Sequence, residues 1–246
     1  MYDPKGNGIE KSVGSVQFTE TRPPQHLKSI VHRYLDIHTE NTLLHDYRFH
    51  ALPDACTYVI FDQRDRRIAG LSKLRATSEE LNLGRNFSFV NIRFLPGVWQ
   101  DHDEAILSGI VDKPYAGKLP LLQINQEMTG LDFAEKQVVL SRFVDTLIEN
   151  KQVVANPITQ KIFENIDDIK TVSNMAHFAQ LSPRQLQRKL KTTTGFAPHD
   201  FLKVIRLQQT LSGKDISSYA DQAHFIHSFR KATGYTPARY TKKFDV

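Results

Sequence analysis

Apolar residues follow two different patterns along the chain. From about Ile30 to Gly97 they gather in short runs, clearest at 58–61 and 87–94, bounded by Pro53, Gly70, Gly84 and the pair Pro96-Gly97. Short β-branched and aromatic runs between turn residues predict strands. In the second run Phe87, Phe89, Ile92 and Phe94 stand among polar neighbours, and the alternation slips near Val90, which reads as a bulge. Beyond Leu119 the spacing changes. Phe133, the run 138–140, Phe143, Val144, Leu147 and Ile148 recur at three and four, the period of a helix burying one face. Residues 1–25 are polar, end in Arg22-Pro23-Pro24, and read as a tail or an early strand. Asn156-Pro157 marks a junction, after which every apolar pattern is helical, and no long repeat of fixed period is present. The expectation is an α+β chain. Residues 1–155 form a β-rich sensory or association domain with a helical connector, and residues 156–246 form an all-α domain.

Composition narrows the classes. With 246 residues, 40% hydrophobic and 24% charged, the chain can build one large or two ordinary domains. Gly 12 and Pro 11 exclude a collagenous or low-complexity chain, and the single Cys56 excludes an internal disulfide or a zinc site of several thiolates. The longest apolar runs fall far short of the roughly 20 residues a membrane helix needs. The N-terminal stretch lacks a signal-type apolar segment, so the expected location is the cytoplasm and no membrane partner is expected. The formal charge of +5 is uneven. Residues 1–155 carry 18 basic against 20 acidic side chains, and residues 156–246 carry 14 against 7. A near-neutral first part joined to a basic last third proposes a polyanionic partner, although a solvated basic face without a partner has the same composition.

The chemistry of that basic region concentrates at 171–191. Met175, Ala179 and Leu181, followed by Leu186 and Leu190, give two short apolar faces either side of a tight turn, and Ala176 is small enough for two helices to approach closely. Ser182-Pro183-Arg184-Gln185 is a helix start, with Ser as N-cap, Pro in the first turn and Gln three residues on to close a capping box. In the helix that follows, Arg184, Gln187 and Arg188 fall at i, i+3 and i+4 on one exposed face. Arg can hold guanine through two donors and Gln can pair with adenine, so this face suits a recognition helix in the major groove of DNA.

The stretch from Leu181 to Leu211 resembles the DNA-binding domain of AraC-type transcription regulators, and residues 219–240 are similar to that family's C-terminal signature. The resemblance rests on Ser182 to Leu186, Gly195-Phe196 with Pro198, Arg206-Leu207, Asp221-Gln222, and Gly234 to Pro237 with Tyr240. It covers about residues 170–241. Upstream, residues 49–62 and 89–97 are similar to the β-rich N-terminal domain of one branch of the family. The resemblance implies a DNA-binding domain with two helix-turn-helix units. Arg184, Gln185, Gln187, Arg188 and Lys191 come from the first reading helix, and Gln222, His224 and His227 from the second. Lys189, Lys191 and Lys203 would hold phosphates. It also implies double-stranded DNA as partner, a small-molecule effector at the N-terminal domain, and RNA polymerase as a contact.

Two departures accompany the resemblance. Between Gln209 and Tyr219 the chain is about ten residues shorter than the family pattern, roughly one helix of the second unit, and Ile216 alone cannot supply that helix's apolar face. His227 stands where the family has Arg, replacing a permanent charge with one titrating near pH 6.5. The second helix is therefore read either as a DNA contact or as a packing element held by Phe225 and Phe229. A chain that lost specific DNA binding and acts as a protein-interaction module is the alternative reading.

Other chemistry is sparse. His45 and His50 flank residues 46–49, but no metal-ligand spacing follows, so no metal and no cofactor is expected. Cys56 reads as a small buried residue beside the 58–61 run, with a nucleophile or methyl acceptor as the other reading. Trp99 and Phe94 read as core, with a ligand pocket as the alternative. No phosphate-binding glycine loop, nucleophile elbow or paired carboxylate motif is present, and no catalytic residue is assigned. An enzyme built on the N-terminal region would be favoured only by a copurifying metal.

Overall fold

The protein's structure, a computed structural model, describes residues 2–11, 14–72, 74–100, 106–107, 109–213 and 222–245. Nine strands come first: β1 (Asn7–Glu10), β2 (Val16–Thr21), β3 (Val31–Thr39), β4 (Tyr47–Ala51), β5 (Thr57–Asp62), β6 (Ala69–Ser72), β7 (Glu79–Gly84), β8 (Ser88–Phe94) and β9 (Ile106–Leu107). Among the described residues eight α-helices follow: α1 (Leu121–Glu127), α2 (Phe133–Glu149), α3 (Pro157–Glu164), α4 (Val172–Phe178), α5 (Pro183–Thr194), α6 (Pro198–Leu211), α7 (Gln222–Thr233) and α8 (Pro237–Lys243). A short strand, β10 (Phe244–Asp245), closes the described chain. The class is α+β, with the β-rich part first and the helices after it. The polar beginning of the chain supplies two strands.

The strands form two sheets, ordered β10-β1-β4-β7 and β2-β3-β8-β5-β6-β9. The larger sheet is buried on both sides. Its inner side faces the smaller sheet across a cluster of Ile37, Tyr47, Phe87 and Phe89. On its outer side Tyr34, Val59, Phe61, Val90, Ile92 and Phe94 pack against α1 and α2. This double burial explains the irregular pattern near Val90 without a bulge there. Val90 pairs in regular register with Asp36 and Phe61, and the register shift lies in β3 between Val31 and Arg33. A strand covered on both faces has no reason to alternate apolar with polar residues.

Helix α2 forms where its periodicity predicts. Asp132 accepts from the Glu135 amide at 2.8 Å, and the Glu135 side chain accepts from the Asp132 amide at 2.9 Å, closing a capping box. Its buried stripe of Val139, Leu140, Phe143, Val144 and Leu147 lies on the sheet. Full burial stabilises each of these side chains by about 1.5–3 kcal/mol. Phe94 and Trp99 meet edge to face at 5.6 Å within this core, and Cys56 is 2% exposed.

The Asn156-Pro157 junction is a tight corner. Asn156 caps α3 by accepting from the Ile158 and Thr159 amides, and its Nδ2 donates to the Gly97 carbonyl at 3.0 Å. Gly97 sits at φ +77°, where a Cβ would lie 2.5 Å from that same Nδ2. The β-rich and helical parts also meet elsewhere. Tyr2 stacks on Phe163 of α3 at 4.2 Å. Gln208 of α6, 2% exposed, accepts from the Lys5 amide and donates to the Lys5 and Pro53 carbonyls. Strand β10 pairs antiparallel with β1, setting Ile9 opposite Asp245 and Glu10 opposite Phe244.

Candidate nucleic-acid interface

Helices α4 and α5 form a helix-turn-helix. Thr171 caps α4 by accepting from the Asn174 amide at 3.0 Å. The helix ends at Ala179, Gln180 takes a left-handed conformation at φ +57°, and the Leu181 amide returns to the Ala176 carbonyl at 3.0 Å. Ser182 then starts α5 with the predicted capping box: Ser182 Oγ accepts from the Gln185 amide, and Gln185 Oε1 accepts from the Ser182 amide at 2.9 Å. Pro183 occupies the first turn, and Gly195 closes the helix at φ +72°. Met175, Ala176, Ala179, Leu186 and Leu190 are buried together with Ile162 and Phe163 of α3 and Phe201 and Ile205 of α6. The apolar side of α5 is thereby fixed and its opposite side left to solvent.

That outer side carries Arg184, Gln187, Arg188 and Lys189, all exposed. Gln185 is exposed too, but its carbonyl oxygen is held in the cap, leaving the amide nitrogen for a contact. Lys191 donates to the Gly195 carbonyl at 3.0 Å and so sits at the C-terminal end of α5. Lys203 pairs with Asp200 of its own helix at 3.0 Å.

Helix α7 carries the other three predicted residues. Gln222 and His227 are exposed. His224 is in the helix, and its side chain lies outside what the structure describes. Phe225 and Phe229 are buried with Leu207, Tyr240, Phe244 and Leu52. Of the short stretch between Gln209 and Tyr219, residues 214–218 lie outside the described residues, as do Ile216 and Asp221. Sequence reasoning passed over Arg230, Lys231, Arg239 and Lys242, which are exposed on α7 and α8. The charge count of the last third was their only signal.

Between the two sheets lies a cavity of about 60 Å³. Its walls are mainly apolar, from Phe18, Ile37, Phe49, Ile60 and Leu81. Two lining side chains, Ser72 through Oγ and Asn91 through Oδ1, are buried without a hydrogen-bond partner. Nearby, the fully buried Arg93 donates to the Pro4 carbonyl at 2.7 Å, pairs with Glu20 and lies over the Tyr58 ring at 5.6 Å. Burial raises the thiol of Cys56 well above its usual range, so it is an un-ionised core group. His45 is exposed and His50 buried among aromatic rings, and no group of three metal-ligating side chains occurs among the described residues.

A capped helix-turn-helix with an exposed Arg/Gln face thus stands behind a β-rich region, and in sequence the chain resembles the AraC-type regulators. It matches the HTH-type transcriptional regulator MtrA of Neisseria gonorrhoeae at 28% identity over 97 residues. That match takes in 35% of this chain and 32% of the relative, so it spans about a third of the relative's length. No family model matches the chain. ToxT from Vibrio cholerae O395 aligns with it structurally at TM-score 0.40 and 11% identity, covering 93% of this chain and 97% of ToxT. No helix among the described residues is long and apolar enough to cross a membrane.

Proposed function

We propose that the chain is a sequence-specific, DNA-binding transcription regulator of AraC type, with double-stranded DNA as its partner. Arg184, Gln187 and Arg188 read bases in the major groove, Gln185 and Lys191 lie at the two ends of the same helix, and Lys189 and Lys203 face phosphates. Gln222, His224 and His227 of α7 form the second contact. Residues 156–246 act as the DNA-binding domain and residues 1–155 as the sensory domain. The inter-sheet cavity of about 60 Å³, with its orphaned Ser72 and Asn91 oxygens, is the place for an effector group of a few heavy atoms that brings hydrogen-bond donors into an apolar setting. RNA polymerase is the expected contact once DNA is bound, and no catalytic role is assigned.

The observation that carries this reading is the geometry of α5: capped at both ends, buried on one side, with Arg184, Gln187 and Arg188 exposed together on the other. The test is selection of DNA from random sequence by the purified chain, followed by salt titration on selected and unselected DNA. One enriched motif with an affinity gap over random DNA is expected. Arg188→Ala should cost about 1–3 kcal/mol and blur preference at one base position. A steep salt slope without any enriched motif would overturn specific reading and favour the protein-interaction module.

A further inference from the structure

The C-terminal end of α7 is held by the β-rich part of the molecule. The Ala232 carbonyl accepts from the Ser78 amide at 2.7 Å. The Thr233 carbonyl accepts from His50 Nε2 at 3.1 Å. These are among the carbonyls a helix cannot satisfy internally, and here a neighbouring sheet supplies their donors. His50 is central to the arrangement. It is 2% exposed, stacked on Phe244 of β10 at 4.8 Å and 15°, with the Tyr235 ring edge-on at 5.6 Å. The Thr233 carbonyl can only accept, so Nε2 carries a proton; burial disfavours the charged ring, and Nδ1 lies 3.4 Å from the Tyr240 hydroxyl. Each further strand of the smaller sheet joins in. From β7, Glu80 accepts from the Tyr235 hydroxyl at 2.8 Å. Beside β1, Lys11 donates from its amide to the Lys243 carbonyl and from Nζ to the Thr241 carbonyl. At Gly8 a Cβ would come within 2.4 Å of the Tyr240 hydroxyl, so the strand and α8 touch backbone to side chain.

We propose that His50 is a positioning residue for the second DNA-facing helix: the smaller sheet grips α7 by its C-terminal end, through His50, Ser78 and β10, and this joint sets where α7 meets DNA. The inference rests on the DNA-binding reading above. It adds that the β-rich region takes part in building the DNA-binding surface. Phe225 and Phe229 supply the apolar side of α7, packed with Leu207 and Tyr240, and such contacts are not directional. The directional bonds at its C-terminal end fix its height and angle.

The experiment compares the full-length wild type with His50→Leu, which keeps bulk but donates nothing, and His50→Gln, whose amide N–H reaches about as far as Nε2–H. Amide hydrogen exchange is measured on the free protein. His50→Leu is expected to speed exchange at least tenfold in 225–234 and to leave 186–194 unchanged, with His50→Gln restoring most of the protection. On DNA selected by the wild type, His50→Leu should keep the hydroxyl-radical footprint that Arg188→Ala weakens, lose the adjacent one, and bind about tenfold more weakly. Unchanged exchange and an unchanged footprint in His50→Leu would overturn the proposal, as would equal acceleration in both helices or no rescue by Gln. If His50→Leu does not fold, a variant lacking residues 244–246 breaks the joint from its other side and is judged by the same two readouts. A wild type that selects no DNA sequence defeats the DNA-binding reading itself, and exchange then decides alone whether the sheet positions α7.

Discussion

Gln208→Leu tests how firmly the helical region is joined to the β-rich one. The side chain makes three bonds out of α6: Oε1 accepts from the Lys5 amide at 2.7 Å, and Nε2 donates to the carbonyls of Lys5 at 3.0 Å and Pro53 at 2.8 Å. Leu fills nearly the same volume, so packing changes little, while three backbone groups in a site 2% exposed lose their partner. At about 0.5–1.5 kcal/mol net per bond, the loss of three comes to about 1.5–4.5 kcal/mol. The assay is urea unfolding with two probes. The single tryptophan, Trp99, lies in the core shared by the larger sheet and α2, and far-UV circular dichroism is dominated by the helices. Coincident transitions are expected for the wild type. The variant should show the dichroism midpoint falling further than the fluorescence midpoint. If both midpoints stay within about 0.5 kcal/mol of the wild type, the joint contributes nothing and the bond count is the wrong measure of it.

Two further outcomes follow from groups already placed. Gly97→Ala should cost about 2–3 kcal/mol in urea unfolding, from about 1–2 kcal/mol of left-handed strain and about 1 kcal/mol for displacing the Asn156 cap; a cost within about 0.5 kcal/mol would refute it. His32, 5% exposed, donates from Nε2 to Asp3 and accepts at Nδ1 from Arg93, and burial, ahead of the opposing Asp3 bond, brings its pKa down from 6.5 to about 4. The unfolded chain takes this proton below 6.5 and the folded chain only below about 4, so stability is full above pH 6.5 and falls between those values. The loss is on the order of 3 kcal/mol. Asp3, lowered to about 2 by the His32 bond, stays charged across that window. His32→Gln should flatten the dependence of the urea midpoint between about pH 7 and 4.5, and equal slopes in the two proteins would refute the assignment.

Local signals were strong enough to place α2, α5, β5 and β8 from the sequence, because each carries its own start or its own period. The Ser182 cap depends on residues three apart and the α2 stripe on a spacing of three and four, and neither needs anything else from the chain. The exposed face of α5 was legible for the same reason, since its two Leu positions define the buried side. What escaped was long-range. Residues 1–25 read only as a tail or an early strand, and nothing around Phe244 announces one, because β1 and β10 are short and owe their form to partners far along the chain. The cavity was equally hidden: Trp99 and Phe94 attracted attention as aromatics, whereas its orphaned polar atoms come from Ser72 and Asn91, unremarkable residues until two sheets face each other. The place of His50 was hidden for the same reason, since its partners, Thr233 and Tyr240, lie in the helical region.

The pairing of β1 with β10 also sets an order of assembly. Lys11 and Thr241, bonded at 2.9 Å, are 230 positions apart. Closing so long a loop is opposed by chain entropy that grows as about (3/2)RT ln n, and it is repaid only after both partners are in place. The contacts that α3 to α6 make with one another join near neighbours, and only Tyr2 and Ala55 enter their buried cluster from the β-rich part. The first helix-turn-helix therefore forms early and on its own contacts, and the grip on α7 forms last. Opening of the native protein in the reverse order releases α7 while α5 still holds its shape.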